Sequence, residues 1–238
     1  MDHEAFRIIG TPQRGGILVV SDHASNRVPQ DIDLGIAADL LDQHIAVDIG
    51  VAAIGAMMAQ QPGFSAFQGH VSRLVCDFNR YPDSDGVVPL VSDGHAIPGN
   101  AGQREERIAR FFEPYHNALA DTLEQLPPVL ILSLHSFTPA LATCDKPRPW
   151  HVGVLYNQDD RAARIAIPML AAEGLCVGDQ EPYSGVLLNA TMNRHAEGRV
   201  PYLGIELRQD WAGDAGQQPK LAQLLTRVCN EVALKLGE

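Results

Sequence analysis

Short runs of apolar residues alternate along the chain with longer segments of helical periodicity. The apolar runs have the length of β-strands, are rich in Val, Ile and Leu, and occupy residues 16–21, 73–78, 129–134, 152–156, 175–177 and 202–207. The spacing of apolar positions predicts helices over residues 37–60, 104–126, 161–173 and 217–236. Several runs lack the alternation of a half-exposed strand, so we expect strands that are covered on both faces.

This alternation of strand and helix is typical of an α/β domain with helices on both faces of a central sheet. The 238 residues contain no low-complexity tract, no repeat and no Gly/Ser-rich linker, which predicts a single domain over residues 1–238. In such sheets ligands bind beyond the carboxyl ends of the strands. Polar residues that directly follow the apolar runs are therefore the first candidates for a functional site.

Three of the apolar runs end in side chains that can bind a metal or transfer a proton. These side chains are His23, His135 and Glu206. A single histidine after a strand is most often structural, but its recurrence at three strand ends favours a shared site. Two imidazoles with a carboxylate or water form an ordinary site for a divalent cation, of which Zn²⁺ is the commonest.

A fourth run leads into Asn79 and Arg80 and then into a turn. An arginine beside an amide can hold a carboxylate through directional, charge-assisted hydrogen bonds. The alternative interpretation is a solvated arginine at a turn, since most arginines are exposed.

Two polar residues interrupt the apolar helix predicted over residues 37–60. His44 and Asp48 stand one helical turn apart, so that helix would present them on one face. Either they form a structural pair or they face a site, because buried polar groups need partners. For His116 we expect a surface position on a packed helix. The loop over residues 178–185 is either a lid that carries Tyr183 or a simple turn.

Composition and charge exclude several classes of function. The 29 acidic and 18 basic residues give a net charge of −11, which argues against a nucleic-acid partner. No apolar run approaches the ~18–20 residues that cross a bilayer, and the first residues do not resemble a signal peptide, so we expect a cytoplasmic protein without a membrane partner. The sequence lacks the glycine-rich phosphate loops and the serine nucleophile elbow. Its four cysteines are widely spaced, which predicts buried thiols.

Several of these motifs resemble those of known metallohydrolases. The segments around His135, around Asn79 and Arg80 and around Glu206 resemble the second zinc histidine, the carboxylate clamp and the catalytic glutamate of zinc carboxypeptidases. Residues 21–29, 150–156, 179–185 and 194–197 are more closely similar to the N-formylglutamate amidohydrolase family. The resemblance spans residues 17–236, and its motifs are short but share their order.

The resemblance implies a single α/β domain of the zinc carboxypeptidase type, with a mixed, mostly parallel central sheet. It also implies one divalent metal, with Zn²⁺ expected, and hydrolysis of N-formyl-L-glutamate to formate and glutamate. Carried over residue by residue, His23 and His135 are metal ligands, and Glu206 is the general base and acid. Asn79 and Arg80 form the clamp for the substrate carboxylate.

The sequence departs from the carboxypeptidase pattern at one metal ligand. That pattern has a glutamate three residues after the first histidine, where this chain has Asn26, a poor zinc ligand. The third ligand is then Asp48, His44, Asn26 or water. We prefer Asp48, because a carboxylate lowers the net positive charge of the site.

Together these observations predict a metal-dependent amidohydrolase whose partner is a small N-acyl amino acid. The near alternative is a carboxypeptidase-like or broader N-acyl-amino-acid deacylase. An alternative from another class is a non-catalytic amino-acid sensor, which would use Asn79 and Arg80 but would not need His23, His135 and Glu206 together. The pattern does not indicate an oligomeric state.

Overall fold

A seven-stranded sheet forms the centre of the protein. The computed structural model describes residues 3–144 and 146–238. The strands within these residues are β1 Phe6–Ile9, β2 Ile17–Ser21, β3 Phe64–Gly69, β4 Val91–Ser92, β5 His95–Ala96, β6 Leu130–Phe137, β7 Val152–Leu155, β8 Val177–Asp179 and β9 Tyr202–Arg208. The large sheet has the order β1-β3-β2-β6-β9-β7-β8, and β4 and β5 form a separate hairpin.

Helices cover both faces of this sheet. They are α1 Val51–Met58, α2 Arg104–Arg107, α3 Glu113–Gln125, α4 Arg161–Ala172, α5 Gly185–Leu188, α6 Ala190–His195, α7 Gln209–Ala212 and α8 Gln218–Leu236. A π-helical turn, Ile108–Phe112, joins α2 to α3, and 3₁₀ turns occur at Ala38–Asp42, Asp85–Val87 and Pro98–Asn100. None of the helices in the described residues combines the length and the apolar composition needed to cross a membrane.

The sheet is mixed and mostly parallel, which confirms the predicted fold class. Strand β2 pairs in parallel with β3 and β6, β6 pairs in parallel with β9, and β7 does so with β8. The antiparallel pairs are β1 with β3 and β7 with β9. The carboxyl ends of β2, β6 and β9 therefore lie next to one another at one edge.

Successive residues of the central strands face two separate cores. Val19, Leu132 and Ile205 belong to the core that α1, α4 and α8 cover. Their sequence neighbours, such as Val20 and Ile131, belong to the other core, where the side chains of α3 pack. Because both faces are buried, these strands show apolar runs rather than alternation, as predicted.

The prediction of one helix over residues 37–60 is wrong. A 3₁₀ turn, Ala38–Asp42, and the short helix α1 are separated by a non-helical segment over residues 43–50. Gly50 precedes α1 with a φ of 88°, a left-handed conformation that no right-handed helix contains. His44 and Asp48 consequently lie in an irregular segment and do not share a helical face.

The run over residues 73–78 is not a strand, and the strand near residue 175 lies further along the chain than predicted. Residues 73–78 are turns and irregular backbone: the Val75 amide donates to the Ser72 carbonyl at 2.8 Å in a turn, and the Asp77 amide donates to the more distant Val87 carbonyl at 2.8 Å. The later strand is β8, which begins at Val177. The apolar side chains of residues 74–76 are buried, so their apolar character indicated burial and not an extended backbone.

The position of Gly50 has no space for a side chain, so a substitution there should lower the stability of the protein. A Cβ atom on Gly50 would lie 1.9 Å from the carbonyl oxygen of Ala212, besides adopting an unfavourable positive φ. Gly50→Ala should therefore destabilise the fold by the ~1–2 kcal/mol of a left-handed residue plus ~1–3 kcal/mol for overpacking. Urea unfolding measures both contributions together.

The matched control is Gly15→Ala, because Gly15 also has a positive φ, 74°, but a Cβ atom there would have no heavy atom within 4 Å. Gly15→Ala should show only the backbone contribution. If both variants lose the same free energy of unfolding, the close contact of Ala212 with Gly50 does not restrict the residue at position 50.

Candidate active site

Two histidines and an aspartate meet at the carboxyl edge of the sheet. Nδ1 of His135 lies 2.9 Å from Oδ2 of Asp48, and Nδ1 of His23 lies 3.3 Å from the same oxygen. One potential ligand atom from each residue lies within 4.8 Å of the others, and all three residues are buried. This donor set can hold a metal ion such as Zn²⁺.

Main-chain contacts place Asp48 beside both histidines. Its amide donates to the carbonyl of His23 at 3.0 Å, and the amide of Ser136 lies 3.4 Å from its Oδ2. The remaining oxygen, Oδ1, accepts a hydrogen bond from Nη1 of Arg73 at 3.2 Å. Asp48 thus enters the site from the irregular segment before α1, although no helix presents it.

The other two protein residues considered as third ligand lie outside this cluster. Asn26 is exposed, and its Nδ2 donates to Oδ1 of Asp42 at 2.9 Å. His44 lines the same pocket as the cluster, but its Nε2 contacts Oδ2 of Asp93 at 3.0 Å. His44 and Asp48 therefore have different partners, which excludes the structural pair considered from the sequence.

Asp77 and Arg73 also contact this cluster, and the motifs of the sequence predict no role for either. Nε2 of His23 lies 2.7 Å from Oδ1 of Asp77, while Oδ2 of Asp77 accepts from Nη2 of Arg73 at 2.8 Å. This contact orients the His23 ring with Nδ1 toward Asp48. The position of Asp77 two residues before Asn79 in the clamp motif was the only sequence signal for it.

The electrostatics of the cluster favour positive charge. Burial acts to lower the pKa of His135, but Asp22 and Asp48 outweigh it and raise that pKa well above its ordinary value. Burial also acts to raise the pKa of Asp48, yet the two imidazoles and Arg73 lower it. Carboxylates that stay ionised around two imidazoles attract a cation.

Glu206 stands beside His135 on the neighbouring strand. The two residues are directly opposite each other in the parallel β6–β9 pair. Glu206 is 7% exposed, and its Oε2 has no hydrogen-bond partner among the described residues. Burial raises the pKa of Glu206 to about 7, so this carboxyl group can both accept and donate a proton near neutral pH.

A pocket opens over these residues. It brings together all the site residues predicted from the sequence and is lined by His23, His44, Asp48, Arg73, Asn79, Arg80, His135, Ser136, Phe137, Thr138, Tyr183, Leu188 and Glu206. Several polar groups converge in it, as is usual in small-molecule sites.

The two residues of the predicted clamp differ in exposure and in the number of hydrogen bonds that they make to the protein. The Arg80 side chain is 30% exposed, and its closest carboxylate oxygen, on Asp77, is 3.9 Å away. Asn79 is buried, with Oδ1 accepting from the Thr191 amide at 3.0 Å and Nδ2 donating to the Leu188 carbonyl at 3.3 Å. Arg80 can therefore bind a ligand directly, whereas Asn79 retains one Nδ2 hydrogen for it.

The loop over residues 178–185 contributes Tyr183 to the pocket wall. The Tyr183 hydroxyl accepts a hydrogen bond from Nη1 of Arg148 at 3.0 Å, and the Arg148 guanidinium lies 5.0 Å from the centre of the tyrosine ring. The loop therefore does more than turn the chain, since it places Tyr183 against the pocket.

Two other expectations from the sequence are wrong. His116 is buried and not on the surface, with its Nδ1 2.8 Å from Nε2 of His195. Of the cysteines, Cys76 and Cys229 are buried as predicted, but Cys144 and Cys176 are exposed. Helical periodicity does not reveal that His116 contacts a histidine of another helix. The spacing of cysteines does not reveal which of them are exposed.

Comparison with known proteins identifies the family of this chain. The family model described as N-formylglutamate amidohydrolase matches residues 15–212. The chain belongs to the N-formylglutamate amidohydrolase family. No curated protein sequence matches the chain.

Two solved structures share the fold of this family member. A gene product of Agrobacterium tumefaciens, Atu2144, is 27% identical, with a TM-score of 0.90 over 99% of this chain and 97% of that one. The N-formylglutamate amidohydrolase of Ralstonia eutropha JMP134 is 18% identical, with a TM-score of 0.75 over 98% of each chain. The family and the fold predicted from the sequence are confirmed.

The geometry predicts which residue completes a metal site. Asp48→Asn should weaken the affinity for Zn²⁺ by more than the ~10–100-fold that outer partners of a metal site contribute, because it removes an anionic ligand. Asn26→Ala is the control and should change the affinity little, since Asn26 is exposed and bonded to Asp42. Competition with a zinc chelator measures both. The opposite ranking would assign the third position to Asn26.

Proposed function

We propose that this family member is a zinc-dependent amidohydrolase that cleaves N-formyl-L-glutamate or a closely related N-acyl amino acid. The observation that carries this proposal is the convergence of His23 and His135 on Asp48, directly beside Glu206. The same pocket exposes Arg80, a group that recognises a carboxylate. A metal site, a proton-transfer group and a substrate anchor are the parts that such a hydrolysis needs.

The charges around the cluster support a divalent cation. Asp22, Asp48 and Asp77 are each at most 4% exposed, and Arg73 is the guanidinium that bridges two of them. Buried carboxylates need compensating positive charge. His23, Asp48 and His135 would hold the ion. The chemistry that Zn²⁺ supplies when bound is polarisation of a carbonyl group and a lowered pKa of water.

Glu206 would move the protons of the reaction. Its carboxylate takes a proton from the attacking water, whose oxygen forms a bond to the formyl carbon. The C–N bond then breaks, and Glu206 delivers the proton to the leaving amine. A pKa of about 7 suits a group that accepts and donates in turn. Arg73, which lines the pocket, adds positive potential where negative charge develops on the carbonyl oxygen.

Arg80 would fix the amino-acid part of the substrate. Its guanidinium can bind a carboxylate in bidentate fashion, with the free Nδ2 hydrogen of Asn79 as an additional donor. Binding energy from this end of the substrate then holds the amide bond near Glu206. One observation favours the alternative of a broader deacylase: Leu188 is an apolar side chain on the pocket wall and can contact a longer acyl group. A sensor without catalysis has no use for Glu206 beside the cluster.

The proposal predicts release of formate from N-formyl-L-glutamate. Removal of metal with a chelator should abolish this activity, and Zn²⁺ should restore it. Glu206→Gln keeps the shape of the side chain but cannot accept a proton, so kcat should fall by ~10²–10⁴ while zinc affinity is retained. Formate production and zinc content measure the two effects. A chelated protein of full activity, or a kcat that Glu206→Gln leaves unchanged, would contradict the proposal.

The clamp gives a prediction about substrate choice. Arg80→Lys keeps the charge but loses the planar fork, so kcat/KM for N-formyl-L-glutamate should fall by an amount equivalent to ~1.5–3 kcal/mol. An N-formyl amine without a carboxylate should be a poor substrate and should respond little to the change.

Arg104→Lys is the control for this test, because Arg104 binds the carbonyls of Pro82 and Ser84 outside the pocket. It should leave both substrates unaffected. If Arg80→Lys slows both substrates equally, Arg80 has a structural role and the carboxylate anchor lies elsewhere.

A further inference from the structure

Asp22 adjoins His23 in the sequence, but its side chain approaches the other histidine of the cluster. Oδ2 of Asp22 lies 3.4 Å from Nε2 of His135. Asp22 is 1% exposed, and neither of these two atoms has a hydrogen-bond partner within the described part of the chain. A buried donor or carboxylate oxygen without a partner costs free energy, so each of these atoms is suited to satisfy the other.

The second oxygen of Asp22 is held by two hydroxyl groups. Oδ1 accepts from the hydroxyl of Tyr115 at 2.7 Å and from that of Thr191 at 2.8 Å. The ring of Tyr115 is fully buried and stacks on Phe78 with a centroid distance of 4.1 Å. Because a carboxylate is planar, fixing Oδ1 in this way also fixes the direction of Oδ2 toward His135.

We propose that Asp22 is a positioning residue that holds a proton on Nε2 of His135 and thereby directs Nδ1, and not Nε2, to the metal. This inference rests on the proposed function, which places a zinc ion among His23, Asp48 and His135. An imidazole that binds a metal keeps one proton, so a proton held on Nε2 leaves Nδ1 as the nitrogen whose lone pair the metal can use. That Nδ1 is the atom that faces Asp48, at 2.9 Å.

Helix α6 links this arrangement to the substrate clamp. Thr191 in α6 donates its hydroxyl to Asp22 and its main-chain amide to Oδ1 of Asn79 at 3.0 Å. One residue therefore supports both the carboxylate behind His135 and the amide beside Arg80. Its burial keeps water away from both hydrogen bonds.

Asp22→Asn tests the proposal because it changes hydrogen-bonding character without changing shape. The amide oxygen can still accept from the two hydroxyls, which turns the NH₂ group toward His135. That NH₂ group donates to Nε2, which places the imidazole proton on Nδ1, where it competes with the metal. The affinity for Zn²⁺, measured by competition with a chelator, should fall by about 10–100-fold.

Ser21→Ala is the matched control for burial. Ser21 precedes Asp22, is fully buried, and its hydroxyl has no partner among the described residues. This variant should bind Zn²⁺ as the unmodified protein does, while urea unfolding reports the stability of both variants. If the Zn²⁺ affinity of Asp22→Asn stays within about twofold of that of the unmodified protein, the loss is far smaller than an outer partner should cause. That result would overturn the proposal.

A second measurement uses the unmodified protein and does not depend on how the variant folds. Long-range ¹H–¹⁵N NMR of the zinc-loaded protein shows which imidazole nitrogen is protonated, with the His135 signal assigned through its through-bond connection to its own main chain. We expect a protonated Nε2 and a zinc-bound Nδ1. In metal-free Asp22→Asn, the proton should lie on Nδ1. Zinc bound to Nε2 of His135 would overturn the proposal.

These readouts separate the role of Asp22 from the proposed reaction, because neither uses a substrate. A protein that binds Zn²⁺ through Nδ1 of His135 but releases no formate from N-formyl-L-glutamate would contradict the proposed function and support the role of Asp22. An active, zinc-dependent enzyme in which Nε2 binds the metal would contradict only the role of Asp22.

Discussion

The parallel register of β6 and β9 is the constraint on which the site depends. Main-chain hydrogen bonds place Glu206 directly opposite His135, and residues opposite each other in a sheet project from the same face. A slip of one residue would move Glu206 to the other face, away from the pocket. Because β2 pairs with β6 on the other side, His23 reaches the same edge. The sheet alone therefore places Glu206 beside the two histidines of the proposed metal site, without a contribution from any loop.

The parts of the site that follow from this sheet were predictable from the sequence. His23, His135 and Glu206 directly follow or end apolar runs, and a parallel sheet brings such positions to one edge. Asn79 and Arg80 were candidates for a carboxylate clamp from their residue types alone, but a position at a strand end does not explain them, since the apolar run before them forms turns and not a strand. Buried turns and buried strands share an apolar composition, so hydrophobicity alone does not distinguish them.

The remaining parts depend on contacts between distant segments, which periodicity does not encode. The sequence pattern placed Asp48 on a helix. In the structure, Asp48 lies in the irregular segment that ends at the left-handed Gly50, before α1 begins. Only the fold shows that Asp48 lies beside both histidines. Strand β3 went undetected, because its buried positions include Ser65 and Gln68. Asp22 gave no signal of its own, because its partners Tyr115 and Thr191 are 93 and 169 positions away in the chain.

A crystal structure of the zinc-loaded protein, with anomalous diffraction recorded at the zinc edge, would locate the metal ion. We expect a single strong anomalous peak in the pocket, about 2.0–2.2 Å from Nδ1 of His23, Nδ1 of His135 and a carboxylate oxygen of Asp48. Glu206 should lie beside the ion without binding it, and Asn26 should remain at the surface. A peak at another place, or zinc held by Glu206 in place of Asp48, would contradict the assignment of the site.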